Sequence, residues 1–173
     1  MGTADNCAMK LYLMRHGPAG ERGDWPNDFE RPLTAEGKAE TTQVAAGLKR
    51  LKVKPGIILT SPLTRARQTA ELVADALTPG VGPTTCDALA SGATPGELLK
   101  ALRAYDGDVL IAGHDPDFSA LFTYLLTGET RPFVDFSKSG VGAFEFGDRP
   151  ERAAGTLLWY LRRRQLALLG GGH

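Results

Sequence analysis

The sequence predicts an α/β fold, a three-layer α/β/α sandwich around a mainly parallel central sheet. Three observations carry that expectation. Short apolar runs alternate with longer amphipathic stretches, the pattern of strands joined by crossover helices. Three of the runs, KLYLM (10–14), GIILT (56–60) and DVLIAG (108–113), are apolar almost throughout, as strands covered on both faces are. The helical stretches between them open on capping residues.

Taken in order, 10–14 is the first strand. In 34–52, Val44, Leu48 and Leu51 recur at helical spacing behind Thr34 as N-cap. The second strand, 56–60, leads into a helix over 62–77. Ala66, Ala70, Val73 and Leu77 form its stripe, with Ser61 as N-cap and Pro62 at its first position. TPGE at 94–97 is a capping box opening a helix to about Arg103. The third strand, 108–113, precedes a helix over 116–127 in which Phe118, Leu121, Phe122 and Leu125 share a face and Gly128 supplies the stop. GAFEF (142–146) and TLLWYL (156–161) complete the strands.

The 173 residues fit a single domain over 1–173 with its core at about 10–162. The first eight residues or so and the tail LGGGH are expected to fray. Twenty basic residues balance twenty acidic ones, which gives no reason to expect a nucleic-acid or membrane partner. No apolar run approaches the ~18 residues of a membrane span, and MGTADNCAMK lacks the apolar core of a secretion signal. Cys7 and Cys86 have no metal-ligand spacing and read as free thiols. A cytoplasmic protein is expected.

In open α/β sheets ligands bind beyond the carboxyl ends of the strands. Here the first strand delivers Arg15-His16-Gly17, and the second is followed by SPLTRARQTA with Arg65 near a helix start. The third delivers His114 ahead of Asp115-Pro116. If the three are parallel neighbours, two arginines and two histidines meet at one rim, beside helix N-termini with unpaired N–H donors. Each residue alone has an ordinary reading as a strand-end or surface side chain. Their equivalent placement at three strand ends is what singles them out.

Such a site favours a phosphate-like dianion. A neutral imidazole can attack phosphorus and hold the phosphoryl group until water removes it, while fixed cations stabilise the transferring oxygens. A metal ion is disfavoured, since arginines flank the only two internal histidines, His16 and His114.

With these residues in place, LMRHG (13–17), RPLTAEG (31–37), SPLTRARQTA (61–70) and GHDP (113–116) resemble, in this order, the signature segments of the histidine phosphatase superfamily, the phosphoglycerate mutase-like fold. The resemblance implies His16 as phosphate-accepting nucleophile and Arg15, Arg65 and His114 as the rest of a catalytic phosphate pocket. It implies neither metal nor organic cofactor, and makes Arg31 a brace. Only 49 positions separate Arg65 from His114, and 59 residues follow. That compactness resembles the phosphohistidine phosphatases, which lack the capping insertions of mutases and sugar-phosphate phosphatases. The implied partner is a phosphorylated substrate, such as a histidine-phosphorylated phosphotransfer protein, with phosphate ion as product. A small-molecule phosphomonoesterase or mutase, and a phosphate-binding module without catalysis, remain open.

The sequence departs from the mutase-like pattern in one respect. Pro18 stands where those proteins carry a glutamate. Asp87 is the nearest substitute acid by position; Glu21, Asp24 and Asp28 are further candidates. A missing acid would slow phosphate-ester cleavage by roughly 10²–10⁴-fold, whereas a phosphoramidate needs only a proton on its departing nitrogen.

Overall fold

In the computed structural model, which describes residues 8–78 and 80–171, a six-stranded sheet carries five α-helices. The strands are β1 (Met9–Arg15), β2 (Ile57–Thr60), β3 (Thr84–Thr85), β4 (Val109–Gly113), β5 (Val141–Phe146) and β6 (Thr156–Leu161). The helices are α1 (Ala35–Arg50), α2 (Thr64–Leu77), α3 (Pro95–Leu102), α4 (Asp117–Thr127) and α5 (Arg163–Leu169). In the sheet order β3-β2-β4-β1-β5-β6, the first four strands are parallel. β5 and β6 close the other side antiparallel, so the sheet is mixed.

Alternation along the strands builds two cores. Leu11 and Leu13, with Val109, Ile111 and Phe144, face α3 and α4, where Leu98, Leu102, Phe118 and Phe122 meet them. Tyr12 and Met14, with Leu110, Ala112 and Ala143, face α1, α2 and α5, represented by Val44, Leu48, Val73 and Leu166. The sheet is thus covered on both faces, as its apolar strands require, and the three-layer expectation holds.

Several local signals hold as well. Thr34 caps α1 through Gly37 N–H at 2.9 Å, Thr94 and Glu97 form the capping box of α3, and Gly128 ends α4 in the left-handed region. Two readings are corrected. Helix α2 starts at Thr64 with Leu63 rather than Ser61 in the cap position, since the first helical bonds run from Ala66 and Arg67 N–H to Leu63 O. Residues 163–169 form α5, so Leu169 and Gly170 do not fray. A Cβ on Gly47 would lie 2.1 Å from Leu166 O, and one on Gly170 2.1 Å from Gln43 O, which shows how closely α5 lies on α1. Strand β3 and the one-turn 3₁₀ helix Asp87–Leu89 add elements that no periodicity announced. Cys86 is a free, half-buried thiol. Cys7, His173 and the remaining residues expected to fray at the ends, apart from Ala8 and Gly171, lie outside the described residues.

Candidate active site

The central strand order β2-β4-β1 puts the three predicted strand ends side by side. Arg15 pairs with Gly113 in the parallel ladder, and His16 N–H donates to Gly113 O at 3.0 Å. His16 and His114 therefore leave neighbouring strands in register, their ring centroids 5.3 Å apart. Ser61 N–H donates to Ala112 O at 3.0 Å, which brings the start of α2, and Arg65 on it, to the same rim. All four side chains line one cavity of about 350 Å³.

The His16 ring is oriented by its backbone neighbour. Nδ1 lies 2.7 Å from Gly17 O; as a carbonyl only accepts, Nδ1 carries the hydrogen and Nε2 is left with its lone pair. Arg65 Nε donates to that Nε2 at 3.3 Å. Gly17 is required by close approach: a Cβ there would lie 2.4 Å from Thr41 Oγ1, while Gly17 N–H donates to Thr69 Oγ1 at 3.0 Å.

The cations are held by fixed partners. Arg15 donates from NH1 to Phe136 O at 2.6 Å, and its buried Nε has no hydrogen-bond partner among the described residues. Arg65 donates from NH1 to Asp28 O at 2.8 Å and from NH2 to Asp28 Oδ2 at 2.9 Å. Asp28 also accepts from Arg31 Nε at 2.8 Å, and Arg31 NH1 donates to Gly20 O at 2.8 Å. Arg31 thus braces the loop while also lining the cavity. Burial raises the Asp28 carboxyl, but its bonds to Arg31 and the Arg65 charge prevail and hold it below the ordinary aspartate range.

His114 shares its Nε2 with Ser61 Oγ at 2.8 Å. This contact is absent from the sequence reading, which assigns Ser61 only to the cap of α2. His114 Nδ1 is buried without a hydrogen-bond partner among the described residues. Burial pushes His16 down to about 3, helped by the charges of His114, Arg65 and Arg15 against the opposing bond to Gly17. Burial, then the Arg65 charge, pushes His114 down to about 4. Both imidazoles are therefore neutral at pH 7.

Two expectations change. Thr64 N–H at the start of α2 donates to Phe29 O, and Ser119 N–H in α4 to Asp115 Oδ1, so those donors are not offered to the cavity. Asp87 is exposed and does not line the cavity, whereas Glu21 and Asp115 do. Asp24 sits exposed in the loop outside it. Among the described residues, no group of three or more His, Cys, Asp or Glu is arranged to hold a metal ion. No helix among them is long and apolar enough to cross a membrane.

The sandwich matches phosphoglycerate mutase-like structures, and the comparisons define the class of enzyme. Residues 11–91 match the histidine phosphatase superfamily (branch 1). An uncharacterized protein of Picosynechococcus sp. is 37% identical over 137 residues, 77% of this chain and 82% of the relative. Phosphohistidine phosphatase SixA of Escherichia coli K12 is 32% identical over 82% of this chain and 94% of its own. The structure of the protein histidine phosphatase SixA complexed with tungstate superposes with a TM-score of 0.79 at 31% identity, covering 91% of this chain and 99% of that one. The chain belongs to the histidine phosphatase superfamily, in its SixA-type group, and is a phosphatase.

Proposed function

We propose that the protein is a metal-independent phosphatase acting on protein phosphohistidine through a phosphoenzyme on His16. The observation that carries the mechanism is the His16 ring, with Nδ1–H fixed on Gly17 O and an unprotonated Nε2 facing Arg65 at 3.3 Å. The Nε2 lone pair attacks phosphorus as the bond to the leaving nitrogen breaks and that nitrogen takes a proton from solvent water. Water then attacks the phosphoryl group on His16, releasing phosphate and restoring the imidazole. Arg15 and Arg65 hold the equatorial oxygens. Ser61 Oγ accepts from Leu63 N–H at 3.2 Å; donating its own hydrogen to His114 Nε2 leaves His114 Nδ1–H as a further donor to the phosphoryl group.

The compact chain and the likeness to SixA support phosphohistidine as substrate. A phosphomonoesterase reading is favoured by one observation, that Glu21 lines the cavity and offers a carboxyl acid. Wild type and His16→Ala, each with and without chelator, are compared on a phosphohistidine peptide, on phosphoramidate and on a phosphate monoester, together with trapping of an acid-labile phosphoenzyme. Chelator-resistant activity that disappears with His16, with N-phosphoryl substrates preferred, is the expected result. Preference for the monoester moves the assignment to a phosphomonoesterase, and phosphate binding without turnover removes the catalytic reading.

A further inference from the structure

Beside the catalytic cavity runs a second groove of about 540 Å³. Lys138 is a wall common to both. Arg162, Arg163 and Arg164 line the groove as well, so four cations gather on one side of the cavity in a chain whose formal charge is zero. Arg163 pairs with Glu40, and Arg162 reaches the exposed Asp135 at 3.3 Å. Lys138 and Arg164 are exposed and form no ion pair among the described residues.

A run of surface arginines is ordinarily just solvated, but two features separate this one. The arginines stand at the start of a helix pinned to α1 by Gly47, Gly170 and the fully buried Leu166, so their backbone is fixed. Through Lys138 the groove also opens beside the position where a phosphoryl group would enter. A small phosphorylated molecule held by the four catalytic side chains makes no use of such a border. A macromolecule presenting its phosphoryl group from a surface lies across it, and opposite charge there speeds encounter and sets orientation.

We propose that this basic groove docks the phosphohistidine-bearing protein, and that the partner presents an acidic face around its phosphorylated residue. The inference rests on the phosphohistidine reading above. Two peptides carrying the same phosphohistidine, one flanked by Asp and Glu and one by Ser and Gly, are compared with phosphoramidate on wild type, Arg164→Glu, and Arg162→Glu combined with Arg164→Glu. Arg164→Glu alone breaks no ion pair and serves if the double variant fails to fold.

Wild type is expected to favour the acidic peptide in kcat/KM by about tenfold at low salt, a preference that fades at about 0.5 M salt. Charge reversal should erase it while the rate on phosphoramidate stays within about twofold. Equal rates of wild type on the two peptides, or a preference that survives charge reversal, overturn the docking assignment and leave the phosphohistidine reading standing. Cleavage of a monoester alone overturns both. Binding to phosphatidylglycerol vesicles that is lost on charge reversal, without any peptide preference, assigns the groove to a membrane surface and also overturns the proposal.

Discussion

Arg65 uses the whole edge of its guanidinium: Nε reaches His16 Nε2, and NH1 and NH2 grip Asp28 through its carbonyl and carboxylate. A lysine keeps the charge but cannot hold that fork while also facing a phosphoryl oxygen. Arg65→Lys is expected to lower kcat/KM by about 10- to 100-fold, the equivalent of ~1.5–3 kcal/mol for hydrogen bonds to a charged group. Steady-state kinetics on phosphoramidate check this; activity within about twofold of wild type would mean that charge without geometry suffices. Arg15, His16, Arg65 and His114 are legible in the sequence because each lies at a strand end or in the helix that follows one, and strands announce themselves by apolar runs. Asp28 and Ser61 are not. Asp28 reaches Arg65 across 37 positions from an exposed loop, and its spacing is that of any loop acid. Ser61 precedes a proline and a helix, which is where a cap belongs, and only the parallel neighbour β4 shows that its hydroxyl serves His114.

At the level of elements, β1, β2 and β4 follow directly from their apolar runs, and α1, α3 and α4 from spacing and caps. Helix α5 does not, since a triple arginine introduces it, a glycine tail ends it, and only Leu166 of its side chains is fully buried. What seats it is the lack of side chains at Gly47 and Gly170, and glycine carries no hydrophobic signal. Gly47→Ala should therefore separate α1 from α5. The added methyl would lie 2.1 Å from the Leu166 carbonyl, and overpacking of this kind costs about 1–3 kcal/mol. For a chain of this size that lowers Tm by about 2–4 °C per kcal/mol. Gly96→Ala, in the first turn of α3 with nothing within 4 Å of its Cβ position, is the contrast: it should leave Tm unchanged or raise it slightly, gaining up to ~1 kcal/mol of helix propensity. Thermal melts of the two variants decide it, and equal shifts in both would refute the clamp.

Over the whole molecule, the rim of the cavity is a source of acid sensitivity. His16 and His114 are held neutral, pushed down from 6.5 to about 3 and about 4, while in the unfolded chain both titrate near 6.5. Below pH 6.5 the unfolded state binds more protons, so this part of the stability is complete above pH 6.5. It declines as pH falls toward 4 and 3, by roughly 1.4 kcal/mol per pH unit for each histidine. Asp28, held below the ordinary aspartate range, adds a loss in the same direction at still lower pH, whereas Asp117, raised by burial against the opposing Gly92 N–H bond, acts the opposite way. Urea denaturation at pH 7.5 and pH 5 should show the fall, and His114→Gln should flatten it. A dianion at the rim reverses the sign of the effect, because a bound negative charge favours each imidazolium. Sulfate remains a dianion across this range, so its stabilisation of the fold should grow as pH is lowered from 7.5 to 5, following the mass-action form of ligand stabilisation. Growth that is absent in His114→Gln places the proton uptake at that ring. A sulfate effect independent of pH would mean that the histidines stay neutral when an anion binds, leaving Arg15 and Arg65 to supply all of the positive charge.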